Sequence, residues 1–370
     1  MSAGKKPLIT ANMVTLARLI PMPLLAWWIY EHHWWPALVV GTIIGSTDFV
    51  DGWLARKYGP TVLGGLLDPI ADKVFVALIY LPFADLGVIP AWACALMFVR
   101  EYLVTALRSA YEQRGLSMKT SYLAKVKTWT QMQGIGVLLL FPMLADRQGV
   151  LDAILWTGVV APIIAGVILY AVRKKVWKGA FVMTGQFVAL LVVHYQRDPQ
   201  LTSNFIMLLV VALTWISGFD YFSGAFKQLR GRGDFAMRDA VRIVAAVLMP
   251  TMIFWVLRAT DAPAWPLMAI LALELAVGGL DNLLSHHHQA STAVGWGART
   301  LGLSAVLGAA LLVPAQATPL AIAAAALSVI GVTWEFVRGS DYYLDARLRD
   351  EKPRNHRKRN KRKAPAAGER

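Results

Sequence analysis

Residues 48–72 read DFVDGWLARKYGPTVLGGLLDPIAD, with Asp48 and Asp51 closing one apolar run and Asp68 and Asp72 opening the next. A carboxylate in or beside a bilayer is costly unless water or cations compensate it, so four together mark a site. Asp48 and Asp51 are three apart and Asp68 and Asp72 four apart, so each pair shares one helical face. Two such faces meeting across the intervening loop gather four hard oxygen donors at a membrane surface. That set suits magnesium or manganese, with room for two ions, and lacks the His and Cys ligands that favour zinc. Gly52, Gly64 and Gly65 let backbone approach a ligand closely, and Arg56 brings a fixed fork of donors suited to phosphate. The same acids could serve as solvated helix caps, but their place at a membrane boundary argues against that plainer role.

The boundary is set by what flanks the motif. Of 370 residues 56% are hydrophobic and 16% charged, with a mean hydropathy of +0.49, more apolar surface than a soluble domain can bury. Twelve apolar stretches of spanning length lie near 13–31, 36–53, 70–88, 90–110, 128–145, 151–172, 178–195, 204–225, 239–257, 264–284, 298–314 and 317–337. The expected fold is therefore an all-α polytopic membrane bundle. The net charge of +14 invites a nucleic-acid reading, yet the basic residues collect in alternate connections: Arg56 and Lys57, Arg114 to Lys127, Arg173 to Lys178, and Lys227 to Arg242. The other connections hold little more than Arg147, Arg197 and Arg258. This pattern predicts a multi-pass protein of a bacterial inner (cytoplasmic) membrane, with both termini and the acidic site facing the cytoplasm and no nucleic-acid partner. The first apolar run has spanning length and no small-residue cleavage pattern, so it reads as a membrane span rather than a signal peptide. Trp34, Trp35, Trp92 and Trp265 fall near the opposite ends, where interfacial anchoring accounts for them. The lone Cys94 reads as core filler.

Two further features organise the chain. Residues 346–370, ARLRDEKPRNHRKRNKRKAPAAGER, form a basic tail that cannot build a core. A weak repeat sets Pro90, Ala91, Trp92 and Glu101 beside Pro263, Ala264, Trp265 and Glu274, and Thr214 and Trp215 beside Thr333 and Trp334. Residues 237–345 are accordingly read as a degenerate copy of the third, fourth, fifth and eighth spans. Glu274 and Asp281 would be remnants there, since no second four-Asp signature accompanies them. Consecutive His286, His287 and His288 fan around a helix and do not converge on a metal, and His32 and His33 read as interfacial.

The pattern formed by Asp48, Asp51, Gly52, Ala55, Arg56, Gly64, Asp68 and Asp72 resembles the signature of the CDP-alcohol phosphatidyltransferase family. The resemblance implies a six-helix core, within about twelve membrane helices, that cleaves the diphosphate of a CDP-linked lipid and transfers the phosphatidyl group to an alcohol, releasing CMP. It places the metal ligands at Asp48, Asp51, Asp68 and Asp72 and the general base at Asp72; that division between ligand and base rests on the resemblance alone. It also maps CDP contacts onto Asn12, Thr15, Gly52, Ala55, Arg56 and Gly64. The opening ITANMVTLARLIP, with Asn12, Thr15 and Arg18, and the segment SGFDYF at 217–222 are similar to further parts of the family pattern.

Residues 100–133, REYLVTALRSAYEQRGLSMKTSYLAKVKTWTQMQ, look like the branch that makes phosphatidylglycerol phosphate, matching at Arg100, Glu101, Thr105, Arg108, Lys125, Lys127, Thr128 and Gln131. The implied substrates are CDP-diacylglycerol and sn-glycerol 3-phosphate in a surround of membrane lipids. Arg108, Lys125 and Lys127 are expected to hold the acceptor phosphate, although each could equally act only as a topology signal. Ala11 stands where the family usually has Pro and Ala124 where Gly is common. A helical hairpin near 150–200 reads as an insertion into a transferase unit spanning 1–230. Inositol phosphate, another polar alcohol or phosphatidylglycerol remain open as acceptors, as do a homodimer and, from a different class, a twelve-span transporter using the acids as an ion site.

Overall fold

A computed structural model describes residues 10–59, 61–114, 116, 122–232, 235–286 and 293–345, except the side chains of 48, 49, 220, 221, 223–232, 286, 293, 294, 341, 342, 344 and 345. Lys5, Lys6, His287, His288 and the tail 346–370 lie outside the described residues. The described chain is helical throughout. In order, its helices are α1 (Ala11–Leu19), α2 (Met22–Tyr30), α3 (Trp34–Tyr58), α4 (Val62–Asp85), α5 (Ala91–Glu112), α6 (Tyr122–Met143), α7 (Gln148–Arg173), α8 (Lys178–His194), α9 (Pro199–Arg232), α10 (Met237–Ala259), α11 (Ala264–His286), α12 (Ala293–Leu312) and α13 (Ala317–Asp345).

Every apolar stretch becomes a helix, and the first becomes two. Pro21, which has no N–H to donate, stands at the junction of α1 and α2. Thr10 starts α1 by accepting the Met13 amide on its hydroxyl at 3.3 Å. The helices that flank the acidic motif run beyond their apolar cores, α3 to Tyr58 and α4 back to Val62. Gly59 ends α3 at φ +94°, a backbone conformation that favours glycine, and its amide returns to Ala55 O. Thr61 then caps α4, accepting the Gly64 amide at 3.0 Å. The four acids therefore stand on helical rods and not in the loop between them.

Among the described residues eight segments are long and apolar enough to cross a membrane, counting α1 and α2 as one, and α8 is a shorter apolar helix. The chain is thus a multi-pass membrane protein. Helices α4, α5 and α6 are long enough but fall outside the eight. They carry Asp68, Asp72 and Lys73; Arg100, Glu101 and Arg108; and Lys125 and Lys127. Most of those charges are tolerated because the helices that carry them are enclosed by protein, whereas Lys125 is exposed near the start of α6. Helix α4 packs on α1, α2 and α11, α5 on α9, α10 and α11, and α6 on α3 and α9. Helix α7, by contrast, turns Ile163, Ile164, Val167 and Ile168 outward and pairs mainly with α8, as a lipid-facing hairpin does. Trp35, Trp92 and Trp265 are exposed as anchoring requires, whereas Trp34 stacks on Phe83 with ring centroids 6.1 Å apart, so its role includes packing.

Candidate functional site

The site begins where α1, α3 and α4 meet. Thr15, fully buried on α1, contacts both acidic helices: its hydroxyl lies 3.2 Å from Asp51 Oδ2 and 2.9 Å from Asp68 Oδ1. One turn on, buried Arg18 places Nη1 3.6 Å from Asp51 and Nη2 3.3 Å from Asp72, and also donates to the Asp68 carbonyl at 3.2 Å. Asp51, Asp68 and Asp72 are thereby gathered as the spacing predicts. The Asp48 side chain lies outside the described residues, one turn before Asp51 on α3. Among the described residues no three His, Cys, Asp or Glu form a ready cation site. The donor chemistry still fits a hard divalent cation, because the carboxylates of Asp51 and Asp72 meet one guanidinium while that of Asp68 meets the neutral Thr15 hydroxyl.

Exposure separates the acids. The Asp51 side chain is 3% exposed and that of Asp72 45%. Asn12, also buried, takes the Thr61 hydroxyl on Oδ1 at 2.9 Å, and a Cβ at Gly64 would sit 2.9 Å from that same oxygen. A side chain at 64 would displace Asn12 and Thr61 from their contact, so glycine there keeps this junction of α1 and α4 intact. Gly52 and Ala55 are half-buried, and Arg56 is exposed on the last turns of α3, reaching back to within 3.5 Å of where a Gly52 Cβ would lie.

Beside the acids opens a cavity of about 450 Å³ between α4, α5, α6 and α11. Five cations line it, Lys73, Arg100, Arg108, Lys125 and Lys127, against two acids, Asp72 and Glu101. The cations are not equivalent. Lys127 is bound to Glu101 at 2.7 Å, Arg100 to Glu101 at 3.2 Å and to Ser217 of α9 at 2.9 Å, and Lys73 to Thr105 at 2.7 Å. Among the described residues no ion pair or hydrogen bond holds the side chain of Arg108 or Lys125, so their charge faces the cavity uncompensated. Lys127, expected to hold the acceptor phosphate, is paired with Glu101.

A second, apolar groove of about 440 Å³ runs between α2, α3, α4 and α6, past Met22, Leu38, Ile44, Phe75, Ile135 and Leu139. Both spaces are lined by Asp72, Thr128, Trp129 and Met132. Asp72 consequently stands where an apolar channel meets a cationic chamber.

The sequence model of the family described as CDP-alcohol phosphatidyltransferase matches residues 8–164. Among curated relatives, the protein named CDP-diacylglycerol--glycerol-3-phosphate 3-phosphatidyltransferase of Bacillus subtilis (strain 168) is 31% identical over 173 residues, covering 42% of this chain and 90% of the relative. The protein of the same name from Rickettsia bellii (strain RML369-C) is 33% identical over 175 residues, covering 44% and 94%. The chain belongs to the CDP-alcohol phosphatidyltransferase family. It is therefore an enzyme of phosphatidyl transfer, and the transporter alternative falls away. No solved structure is a significant match.

Within this member of the family, two residues of the site exceed what sequence reasoning assigned. Arg18 was visible only as part of an N-terminal resemblance, yet it joins Asp51 to Asp72. Lys73 directly follows Asp72, and its position one residue on points it toward α5, where Thr105 receives it. Asp220 and Tyr221 of SGFDYF lie outside the described side chains, while Ser217 fixes Arg100. In the C-terminal third, Glu274 and Asp281 are buried and engaged by Arg299 and Arg242.

Proposed function

We propose that the chain transfers the phosphatidyl group of CDP-diacylglycerol to sn-glycerol 3-phosphate, giving phosphatidylglycerol phosphate and CMP. The observation that carries this reading is the position of Asp72 on the shared wall of an apolar groove and a cationic chamber. The groove suits acyl chains, and the chamber suits an acceptor that bears its own phosphate. The names of the relatives that this chain covers nearly end to end support the same substrates. We place the site and both termini on the cytoplasmic face of a bacterial inner membrane, the side rich in Lys and Arg.

In this reading Arg108 and Lys125 hold the acceptor phosphate, and Lys127 adds a weaker pull through its bond to Glu101. Asn12, Thr15, Gly52, Ala55, Gly64 and Arg56 border the nucleotide. The acceptor hydroxyl, whose pKa lies far above neutrality, yields its proton to the half-exposed carboxylate of Asp72 as its oxygen bonds to the phosphorus beside the lipid oxygen. The bond from that phosphorus to the bridging oxygen breaks, and CMP leaves with the electron pair. Arg18 aims Asp72 through their 3.3 Å ion pair. Asp48, Asp51, Asp68 and Asp72 would hold magnesium or manganese, as one or two ions, which when bound supply positive charge to the phosphoryl oxygens and the leaving CMP. Incubation of the purified protein with CDP-diacylglycerol, magnesium and a panel of acceptors tests the reading. Fastest CMP release is expected with glycerol 3-phosphate; a preference for inositol phosphate or an unphosphorylated alcohol overturns the acceptor assignment.

Residues 237–345 fit the same scheme as a degenerate copy of α4, α5, α6 and α9. Helices α11 and α12 each pack on α13, as α5 and α6 each pack on α9. Glu274 takes Arg299 25 residues on, as Glu101 takes Lys127 26 residues on. Helix α10 lies along α12, while α4 and α6 scarcely touch across the cavity, so the copy has closed the space that a second site would need.

A further inference from the structure

The cationic chamber has one wall that the family match does not reach. Leu275 and Asn282 of α11 line it together with Asp72, Arg108 and Lys125. They stand seven residues apart, two turns along one face. Between them Gly278 and Gly279 bring bare backbone against the site helices: a Cβ at Gly278 would lie 2.8 Å from Thr105 Cγ2 and one at Gly279 2.9 Å from Ile70 Cγ1. Asn282 is fixed in turn by Ser109 of α5, whose hydroxyl donates to Asn282 Oδ1 at 2.6 Å.

We propose that Asn282 is a specificity-determining residue that reads the acceptor's second, non-attacking hydroxyl, making the C-terminal unit part of the acceptor site. This rests on the reading of the chamber given above. With Oδ1 engaged by Ser109, the amide N–H is the polar group that Asn282 has left to offer to the cavity. A neutral amide suits a hydroxyl, just as Arg108 and Lys125 suit a phosphate. The family model ends at residue 164, and relatives covered over 90% and 94% of their length by some two-fifths of this chain leave no room for α11. The device therefore belongs to this chain and not to the shared core.

The test compares glycerol 3-phosphate with 3-hydroxypropyl phosphate, which keeps the attacking hydroxyl and the phosphate but lacks the secondary hydroxyl. CMP release is followed in the purified full chain with magnesium and CDP-diacylglycerol. Loss of one hydrogen bond should raise the KM for glycerol 3-phosphate about 3–10-fold in Asn282→Leu, leave that for CDP-diacylglycerol unchanged, and erase the preference over the deoxy analogue. Ser109→Ala, which frees the carboxamide without filling the cavity, should shift the same ratio in the same direction, and it decides the matter where Asn282→Leu does not fold. If the wild type is active with glycerol 3-phosphate but the folded variants keep its KM and its preference, the inference alone fails. If the wild type releases CMP only with acceptors lacking a phosphate, the reading of the chamber fails and the inference with it.

Discussion

Asp72→Asn separates chemistry from architecture, because the structure assigns its two costs very different sizes. The side chain is 45% exposed, so its ion pair with Arg18 at 3.3 Å is partly screened and worth about 1 kcal/mol or less to the fold. Asparagine keeps the shape and a hydrogen-bonding oxygen. What it loses is the ability to take a proton, a role worth about 10²–10⁴ in rate, or roughly 3–5.5 kcal/mol of barrier. Turnover should thus collapse while thermal stability changes little and part of the CDP-diacylglycerol binding survives through the remaining acids. Asp51→Asn offers the opposite profile. Asp51 is 3% exposed and meets the equally buried Arg18 at 3.6 Å as well as Thr15, so removing its charge leaves a buried guanidinium short of a partner, at a cost of about 3 kcal/mol in stability. The assay is CMP release beside lipid-nucleotide binding and thermal unfolding in one detergent. Turnover by Asp72→Asn within tenfold of wild type would refute its assignment as the proton acceptor, even if the acid cluster were shown to hold a metal.

Thorough chelation should abolish CMP release, and magnesium or manganese should restore it; activity that survives chelation removes the divalent ion from the scheme. Arg108→Met and Lys125→Met should raise the KM for glycerol 3-phosphate about tenfold with little change in thermal stability, since no described partner depends on either. Lys127→Met should additionally lower the melting temperature, because Glu101 loses its 2.7 Å partner inside the bundle; equal effects of all three on both substrates would argue against an acceptor-phosphate role. Glu274→Ala should destabilise by about 3 kcal/mol, since Arg299, Thr300 and Ser328 all donate to that carboxylate. Unchanged unfolding of that variant would show that the three helices do not rely on this junction.

Much of this was legible from residue order. Periodic apolar runs fix where helices lie, and acids three and four apart fix which faces converge; α3, α4 and their acids follow from both. The ends of those helices did not follow, because helix continues past the apolar stretch wherever caps such as Thr61 and a left-handed Gly59 permit it, and a hydropathy reading sees only the lipid-matched part. Pro21 was in plain view, but its split of the first span depends on how α1 and α2 are each packed against α3 and α4. Pairing was the least legible level. Nothing in the spacing says that Lys127 shares its charge with Glu101 while Arg108 and Lys125 do not, since that depends on which helix faces which.

The same limit explains why the C-terminal third resisted a reading by motif. Its acids, Glu274 and Asp281, look like site residues in isolation, being ionisable and deep in an apolar helix. In the bundle Arg299, Thr300 and Ser328 surround Glu274, and the pairs Asp281–Arg242 and Asp239–Arg114 stitch the C-terminal helices together and to the turn that follows α5. What these helices provide is enclosure. Arg100 is held by Ser217 of α9 and Glu101 by Lys127 of α6, while Lys73 could not stand on α4 facing hydrocarbon, and α11 packs on α4 and α5 to close that side. Covering it with backbone at Gly278 and Gly279 brings α11 close enough for Asn282 to enter the chamber wall, so the shield and the candidate specificity element are one helix.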